Sequence, residues 1–278
     1  MYVYLGDDDI TRAASYLCGV MKYAQIPFDR VDSTETPPDH FTSTQYDAYI
    51  ISDYPQTRFQ PQQLEHIRNA VAQGAGLLMI GGWESFHGQY GEYYHSPLAE
   101  VLPVNMLQRD DRHNFSQWAF ILKHHNHPVL EGLPWEKPPF IGGLNQFTAK
   151  PDANLLLKAV TVDVRVVNEE KAVDCGNDSI FNYINKPVEE RLSVSLPGDD
   201  AMFLTLMETF PLLVTGQYGK GRTAALATDV APHWVGGWVD WGKKRITQKL
   251  DNGNSIEVGE NYVQFFAQLL RWIGGCDL

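Results

Sequence analysis

The fold is decided by the stretch Gly76-Leu-Leu-Met-Ile-Gly-Gly-Trp-Glu-Ser-Phe86. Its apolar run is short and ends at two glycines, a pattern typical of a strand that is buried on both faces. In open α/β sheets, ligands and catalytic groups collect where the strands end at their carboxyl edge. The residues that follow Ile80 are therefore the first candidates for a functional site.

The sequence around this stretch alternates between strand and helix patterns, which is typical of a mostly parallel sheet covered by helices. Helical spacing of apolar residues predicts one helix from about residue 10 to 24, a second over 61–73 that Gly74 ends, and a last one over 260–273. The predicted strands cover residues 2–5, 27–31, 46–53 and 77–80. The first half of the chain therefore predicts an α/β fold.

The middle of the chain, from about residue 105 to 210, is less regular. It contains several prolines and strand-like runs at 118–123, 155–160 and 162–167. A hairpin pattern follows, with strands at 212–217 and 222–228 around the turn 218–221. We interpret 1–278 as a single domain in which 105–210 is an inserted region of β-rich excursions from the core sheet.

Composition excludes several classes of function. The chain of 278 residues carries 34 acidic against 22 basic side chains, a formal charge of -12, which repels nucleic-acid phosphates and anionic membranes. There is no apolar run of membrane-spanning length and no secretory signal at the first residues. The three cysteines, Cys18, Cys175 and Cys276, are widely spaced and indicate neither disulfides nor a zinc knuckle. We expect a cytoplasmic protein that binds neither nucleic acid nor membranes.

Acidic residues follow several predicted strands. Asp7, Asp8 and Asp9 follow the first, and the others are Asp53, Glu84 and Asp229, with His233, His87 and His95 nearby in sequence. In a parallel sheet these groups face one rim, where clustered carboxylates have raised pKa values or bind a divalent ion. A histidine beside them suits zinc or manganese. The alternatives are helix capping by the three N-terminal aspartates, a turn at Asp53 and a packed His233. These roles are commoner than metal binding. We therefore expect no cofactor and keep a bound divalent metal as the less favoured case.

Three tryptophans, Trp234, Trp238 and Trp241, form a second candidate feature. Such rings build sugar-binding platforms or protein contact surfaces, but they also pack beneath helices. The basic run 243–245 that follows is either a solvated face or a subunit contact in a homo-oligomer. The sequence leaves these alternatives open.

Four segments together resemble uncharacterised proteins of the class I glutamine amidotransferase-like superfamily. They are 74–104, His127-Pro-Val-Leu-Glu-Gly-Leu-Pro134, Gly216-Gln-Tyr-Gly-Lys-Gly-Arg222 and Thr228-Asp-Val-Ala-Pro-His-Trp234. The resemblance implies a flavodoxin-like three-layer sandwich. It also implies that a working member has a cysteine at the elbow after the strand 77–82, with a histidine after the last core strand.

The chain departs from this pattern at the elbow, where Trp83 stands between Gly82 and Glu84. A thiolate is needed there to form a thioester with glutamine, with a histidine close by to keep it ionised. His233 could occupy the place of that histidine, but none of Gly82, Trp83 and Glu84 can form a thioester. Ser85 lies outside a Gly-x-Ser-x-Gly elbow and is better explained as a loop or capping serine. We therefore expect no glutaminase activity.

Three hypotheses for the function remain. The first is a small-molecule-binding or regulatory protein with a ligand site at the strand carboxyl rim. The second is a hydrolase or metal-assisted enzyme for a sugar-like or amide substrate, in which His233 is the base and Glu84 or Asp229 the acid. The third is an interaction module that uses the tryptophan face in an oligomer. The predicted ligand-binding residues are Gly82, Trp83, Ser85, His87, Asp53 and Trp234.

Overall fold

A computed structural model describes residues 1–7, 11–168, 192–195, 200–251 and 253–278. Its helices are α1 (Ala13–Tyr23), α2 (Pro61–Gln73), α3 (Leu98–Val101), α4 (Pro232–Val235) and α5 (Glu260–Ile273). Its strands are β1 (Tyr2–Gly6), β2 (Phe28–Val31), β3 (Ala48–Ser52), β4 (Gly76–Ile80), β5 (Val104–Met106), β6 (Arg112–Lys123), β7 (Phe140–Asn145), β8 (Phe147–Ala149), β9 (Asn154–Asn168), β10 (Leu192–Ser195), β11 (Asp200–Tyr218), β12 (Gly221–Leu226), β13 (Arg245–Lys249) and β14 (Ser255–Gly259). Cys175, Asp8 and Asp9, all named above, lie outside the described residues.

One large mixed sheet organises the described chain, in the order β2-β1-β3-β4-β12-β11-β9-β6-β7, with β10 paired to β11. The neighbours from β2 to β12 all run parallel. Every residue of β1, β3 and β4 is buried, as expected for parallel strands that are covered on both faces. The α/β prediction is therefore confirmed.

The other half of the sheet corrects two expectations. Strands β6, β7, β9 and β11 continue the sheet as antiparallel neighbours, so these parts of the middle region extend the core sheet. Strands β5 and β8 pair with each other in a separate two-stranded sheet. The sheet as a whole is consequently not mostly parallel. The runs predicted at 155–160 and 162–167 belong to the single strand β9, because β11 pairs along its length across several register shifts.

The buried faces of α1, α2 and α5 contribute to the core. Both α2 and α5 have the predicted bounds, whereas α1 begins only at Ala13. The capping interpretation of Asp7 is therefore wrong: Asp7 lies well before α1 and is buried at the end of β1. In the described part of the chain, no helix is long and apolar enough to cross a membrane.

The three tryptophans belong to the core. Trp234, Trp238 and Trp241 are each less than a tenth exposed. The ring of Trp238 lies 4.6 Å from that of Phe265 on α5, and the ring of Trp241 lies 4.9 Å from that of Trp135. Of the alternatives for these rings, packing in the core is the one that their burial supports, and Trp238 packs against the last helix.

Candidate functional site

The site is built at the carboxyl rim of the parallel strands. Asp7 follows β1 directly, Asp53 follows β3, the segment from Gly81 follows β4, and Asp229 lies shortly after β12. The chain passes from β1 to the outer strand β2 and then returns to β3 on the other side of β1. The ends of β1 and β3 therefore flank a reversal of strand order, which is where open α/β sheets bind their ligands.

Three aspartates meet at this point, and we refer to Asp7, Asp53 and Asp229 as the carboxylate cluster. One carboxylate oxygen of each lies within 4.8 Å of those of the other two. Asp7 is 2% exposed and Asp229 6%, while Asp53 is partly buried. The strand ends thus bring these three acids together at one rim, as close as the ligands of a single ion would be.

The backbone at the cluster has an uncommon conformation. Asp7 has φ 49° and Asp53 has φ 44°, in the left-handed region that most residues avoid but that aspartate and asparagine tolerate. The amide of Asp7 donates to the carbonyl of Ser52 at 3.0 Å, which ties the ends of β1 and β3 together. The conformation turns the chain at the strand ends.

Hydrogen bonds orient each carboxylate. The Tyr4 hydroxyl donates to Oδ2 of Asp7. Oδ1 of Asp53 accepts from the amide of Glu84 at 2.7 Å. Oδ1 of Asp229 accepts from the amides of Val230 at 2.5 Å and Ala231 at 3.2 Å. Each group is therefore held by residues of its own strand end or of the loop after β4.

Burial dominates the electrostatics of the cluster, and mutual repulsion adds to it. Desolvation and the charge of Asp229 raise the pKa of Asp7 to about 8. Burial, together with the charges of Asp229 and Asp7, raises the pKa of Asp53 well above its ordinary value. Burial raises the pKa of Asp229 to about 6, although two backbone amides oppose the shift. Carboxyl groups in this state either hold protons near neutral pH or need a cation beside them.

The loop after β4 approaches the cluster closely, and two glycines make this possible. A Cβ on Gly82 would lie 2.0 Å from a carboxylate oxygen of Asp53, and one on Gly81 would lie 2.0 Å from the carbonyl oxygen of Ala227. Gly82 also has φ 159°, a backbone conformation that residues with a side chain rarely adopt. The diglycine is therefore required by the close packing of the loop against β3 and β12.

Two buried polar residues hold this loop in place. Oδ1 of Asn145 accepts from the amide of Gly82 at 2.8 Å, and its Nδ2 donates to the carbonyl of Gly82 at 3.0 Å and to Asp111 at 2.7 Å. Asp111 also accepts from the amides of His87 and Gly88, each at 2.9 Å. Neither residue could be recognised from the sequence, because both lie far from the loop in sequence and no motif marks them.

Trp83 occupies the elbow position at the protein surface. Its side chain is 45% exposed, and the guanidinium carbon of Arg112 lies 4.4 Å from its ring centroid. Arg112 is in turn paired with Asp110 at 2.7 Å. An exposed indole with a stacked cation therefore stands directly after the diglycine that follows β4.

The nearby Ser85 has a structural role in the loop after β4. It is completely buried, and its hydroxyl oxygen accepts from the amide of Asp53 at 2.9 Å. This bond fixes the turn at Asp53. The interpretation of Ser85 as a loop serine therefore agrees with its contacts.

The structure does not bring every candidate to the cluster. The cluster contains Asp229 and Asp53, and the backbone amide of Glu84 donates to Asp53. In contrast, His233 on α4 is exposed, and among the described residues it belongs to no group of side chains close enough to share a metal ion. Trp234 is buried and donates from Nε1 to Asn114 at 2.7 Å. The backbone amide of His87 donates to Asp111. Among the described residues, the His87 side chain is not part of the group formed by the three carboxylates.

Neither of the two described cysteines, Cys18 and Cys276, lies in the environment of a catalytic nucleophile. Cys18 is buried in α1, and desolvation raises its pKa to about 12, so the thiol stays protonated. Cys276 is exposed near the C-terminus, where its carbonyl accepts from Arg222 at 2.8 Å. Neither lies at the elbow after β4.

Comparisons with known proteins agree with this architecture. A family model described as "Putative glutamine amidotransferase" matches residues 33–169 and 178–249, which is more than half of the chain. Among curated proteins, the search found no match.

Solved structures share the fold. The cytoplasmic protein STM3548 from Salmonella typhimurium is 23% identical, with a TM-score of 0.66 and 98% of each chain covered. The cytoplasmic protein STM1381 from Salmonella typhimurium LT2 is 24% identical, with the same TM-score and coverage. The mmIFT52 N-terminal domain is 9% identical, with a TM-score of 0.55 over 100% of this chain and 99% of that one. At these identities the similarity extends to the fold alone.

Proposed function

The chain belongs to the family described as "Putative glutamine amidotransferase", and on this premise we propose that it binds a small polar ligand at the carboxyl rim and does not hydrolyse glutamine. The observation that carries the proposal is the composition of the rim. Three buried carboxylates lie at the strand reversal, and an exposed tryptophan stands at the elbow.

The missing thiolate supports the loss of glutaminase activity. Attack on the amide carbon of glutamine needs a nucleophile that can form a covalent intermediate, and an indole cannot form a thioester. Cys18 is buried with a raised pKa and Cys276 is close to the C-terminus. Among the described residues, no cysteine replaces the elbow thiol.

The strand order supports a finer description of the fold and the site. The order β2-β1-β3-β4-β12 corresponds to the flavodoxin-like order 2-1-3-4-5, whose ligands bind at the β1/β3 reversal. We accordingly assign the parallel half to a flavodoxin-like three-layer core, and the cluster lies at its binding position. The two similar Salmonella proteins are described as cytoplasmic, which supports a cytoplasmic location.

Trp83 provides a direct assay for ligand binding. Two tryptophans of the described chain are strongly exposed, Trp83 at 45% and Trp118 at 53%, so each contributes a solvent-sensitive emission. A ligand at the rim should change the fluorescence of the wild type and of Trp118→Phe, but not that of Trp83→Phe. The probes are a panel of amino acids, monosaccharides and divalent chlorides, with ammonia release from glutamine measured in parallel.

The expected result is a saturable fluorescence change with at least one probe and no ammonia release. Two outcomes would overturn the proposal. One is release of ammonia that is lost when Cys18, Cys175 or Cys276 is changed to serine. The other is a panel in which no probe changes the Trp83 signal.

A second candidate is a hydrolase, favoured by the state of Asp229. Burial brings the pKa of this carboxyl to about 6, a value suited to a general acid near neutral pH. A chromogenic panel of esters, amides and glycosides tests this candidate, and Asp229→Asn should abolish any activity found. His233→Ala should leave such activity intact if the acid works without this exposed histidine, and should abolish it if the two act as a pair.

A further inference from the structure

The donor atoms at the rim define a ligand class more narrowly than a small polar molecule. Every member of the carboxylate cluster offers oxygen, and within the described residues no histidine or cysteine joins the group. Hard cations such as Ca²⁺, Mn²⁺ and Mg²⁺ prefer oxygen ligands, whereas zinc sites are dominated by nitrogen and sulfur. The donor set therefore fits a hard divalent cation.

The spacing of the cluster fits the same class. The three carboxylate oxygens lie within 4.8 Å of one another. A calcium-sized ion that holds its ligands at about 2.3–2.6 Å separates opposite oxygens by about 4.6–5.2 Å and neighbouring ones by about 3.3–3.7 Å. One ion can consequently reach all three groups with little movement of the chain.

The hydrogen bonds leave oxygen atoms for such an ion. In the described part of the chain, the conventional bonds to the cluster engage Oδ2 of Asp7 and Oδ1 of both Asp53 and Asp229. The basic group nearest to Asp7, Arg30, donates instead to the backbone oxygen of Asp7 at 2.5 Å and to Asp32 at 3.2 Å. A side-chain ion pair with Arg30 therefore does not account for the cluster.

A separate observation points to a ligand at the same place. Ser52, the last residue of β3, is completely buried, and its hydroxyl has no hydrogen-bond partner of ordinary geometry. This hydroxyl lies beside the carboxyl group of Asp7, which places it at the cluster. A buried polar atom without a partner costs free energy unless a ligand or water satisfies it.

We propose that the carboxylate cluster binds one hard divalent cation, through carboxylate oxygens of Asp7, Asp53 and Asp229 and with the Ser52 hydroxyl facing the ion. The inference rests on the proposed function, because it names the ligand class of the same rim. It assigns the buried acids a common purpose, since a doubly charged ion offsets the repulsion that otherwise opposes their ionisation.

The test uses the full chain without a histidine tag, stripped with EDTA and dialysed into chelator-free buffer near pH 8. Mn²⁺ is titrated by calorimetry and by the loss of the free-ion electron paramagnetic resonance signal, and Ca²⁺ and Mg²⁺ are then used as competitors. We expect one Mn²⁺ per chain. Asp7→Asn and Asp229→Asn should each weaken binding at least about 10-fold, and Ser52→Ala should weaken it by a smaller factor.

Asp152→Asn is the matched control, because it removes one negative charge at an exposed position and should leave the affinity unchanged. Circular dichroism confirms that each variant is folded. No saturable Mn²⁺ binding up to about 5 mM, or equal affinity in wild type and Asp7→Asn, would overturn the proposal. If Mn²⁺ does not bind while an organic probe changes Trp83 fluorescence, the cation inference fails and the proposed function stands; if neither responds, both fail.

Discussion

The substitution Asp7→Asn should stabilise the metal-free protein at alkaline pH. Asparagine has nearly the same shape as aspartate, tolerates the left-handed φ of 49° at this position, and can still accept from Tyr4. The change therefore removes the charge of one buried carboxyl with little other disturbance. Asparagine would stabilise the fold only if the ionised Asp7 opposes folding.

The sign follows from the direction of the pKa shifts. Burial raises the pKa of Asp7 from 3.8 to about 8, so the folded chain holds this proton at pH values where the unfolded chain has lost it. The wild type should accordingly be most stable below about pH 4 to 5 with respect to this group, and should lose that stability as pH rises through the folded pKa near 8. Asp7→Asn removes this loss.

Two estimates give the magnitude. Two unit charges 4.8 Å apart repel by about 3.5 kcal/mol at an effective dielectric constant of 20. The full shift in the pKa of Asp7, from 3.8 to about 8, corresponds to about 6 kcal/mol and includes desolvation. At pH 9 we expect Asp7→Asn to raise the free energy of unfolding by roughly 3 to 6 kcal/mol, and the melting temperature by roughly 5 to 10 °C.

The assay is urea unfolding in EDTA at pH 5 and at pH 9, followed by circular dichroism for wild type, Asp7→Asn and the control Asp152→Asn. For Asp7→Asn the gain should be several kcal/mol larger at pH 9 than at pH 5, where the unfolded chain has lost the proton but only about 1 to 2 kcal/mol of the effect has developed. For the control the gain should be absent at both pH values. A destabilised Asp7→Asn at pH 9, or an equal gain at the two pH values, would refute the electrostatic reasoning.

Three further predictions concern the loop after β4 and the thiols. Asn145→Ala should lower the free energy of unfolding by about 3 to 5 kcal/mol in urea unfolding, because it removes the side-chain partner of the amide and carbonyl of Gly82 and one of the donors to the buried Asp111. The exposed Asn105→Ala should change it little, and equal effects of the two substitutions would contradict this role. Gly82→Ala should lower the melting temperature by several degrees, since its Cβ would lie 2.0 Å from Asp53, and an unchanged melting curve would show that the loop packs differently. Cys276 should react with iodoacetamide at pH 8 within minutes while Cys18 stays unmodified, because Cys276 is exposed and burial raises the pKa of Cys18 to about 12. Mass mapping of the two peptides measures the labelling, and comparable labelling of both cysteines would contradict this prediction.

The parallel half of the fold could be predicted from the sequence because its patterns are local. The helix 61–73 begins at a proline and ends at a glycine, and the strand at 76–80 is a continuous apolar run, so each element is marked by its own residues. The acids at the strand ends could be predicted to meet for the same reason, since parallel strands share one carboxyl edge.

The rest depends on contacts between residues that are far apart in sequence. The antiparallel half could not be placed, because nothing in residues 112–123 or 154–168 indicates that they pair with each other or with β11. Asn145 and Asp111 reach the loop after β4 from other parts of the chain, and the burial of Trp234 depends on packing against β7. Tertiary packing, rather than local pattern, decides these positions.

The central claim is that the protein binds its ligand at the rim, between the ends of β1, β3 and β12. An anomalous difference map from a crystal grown with Mn²⁺ tests this most directly, collected on the wild type and on Asp229→Asn. We predict one strong peak between the carboxylates of Asp7, Asp53 and Asp229, lost in the variant. A map without a peak at the cluster, or with its strongest peak elsewhere on the protein, would contradict the account.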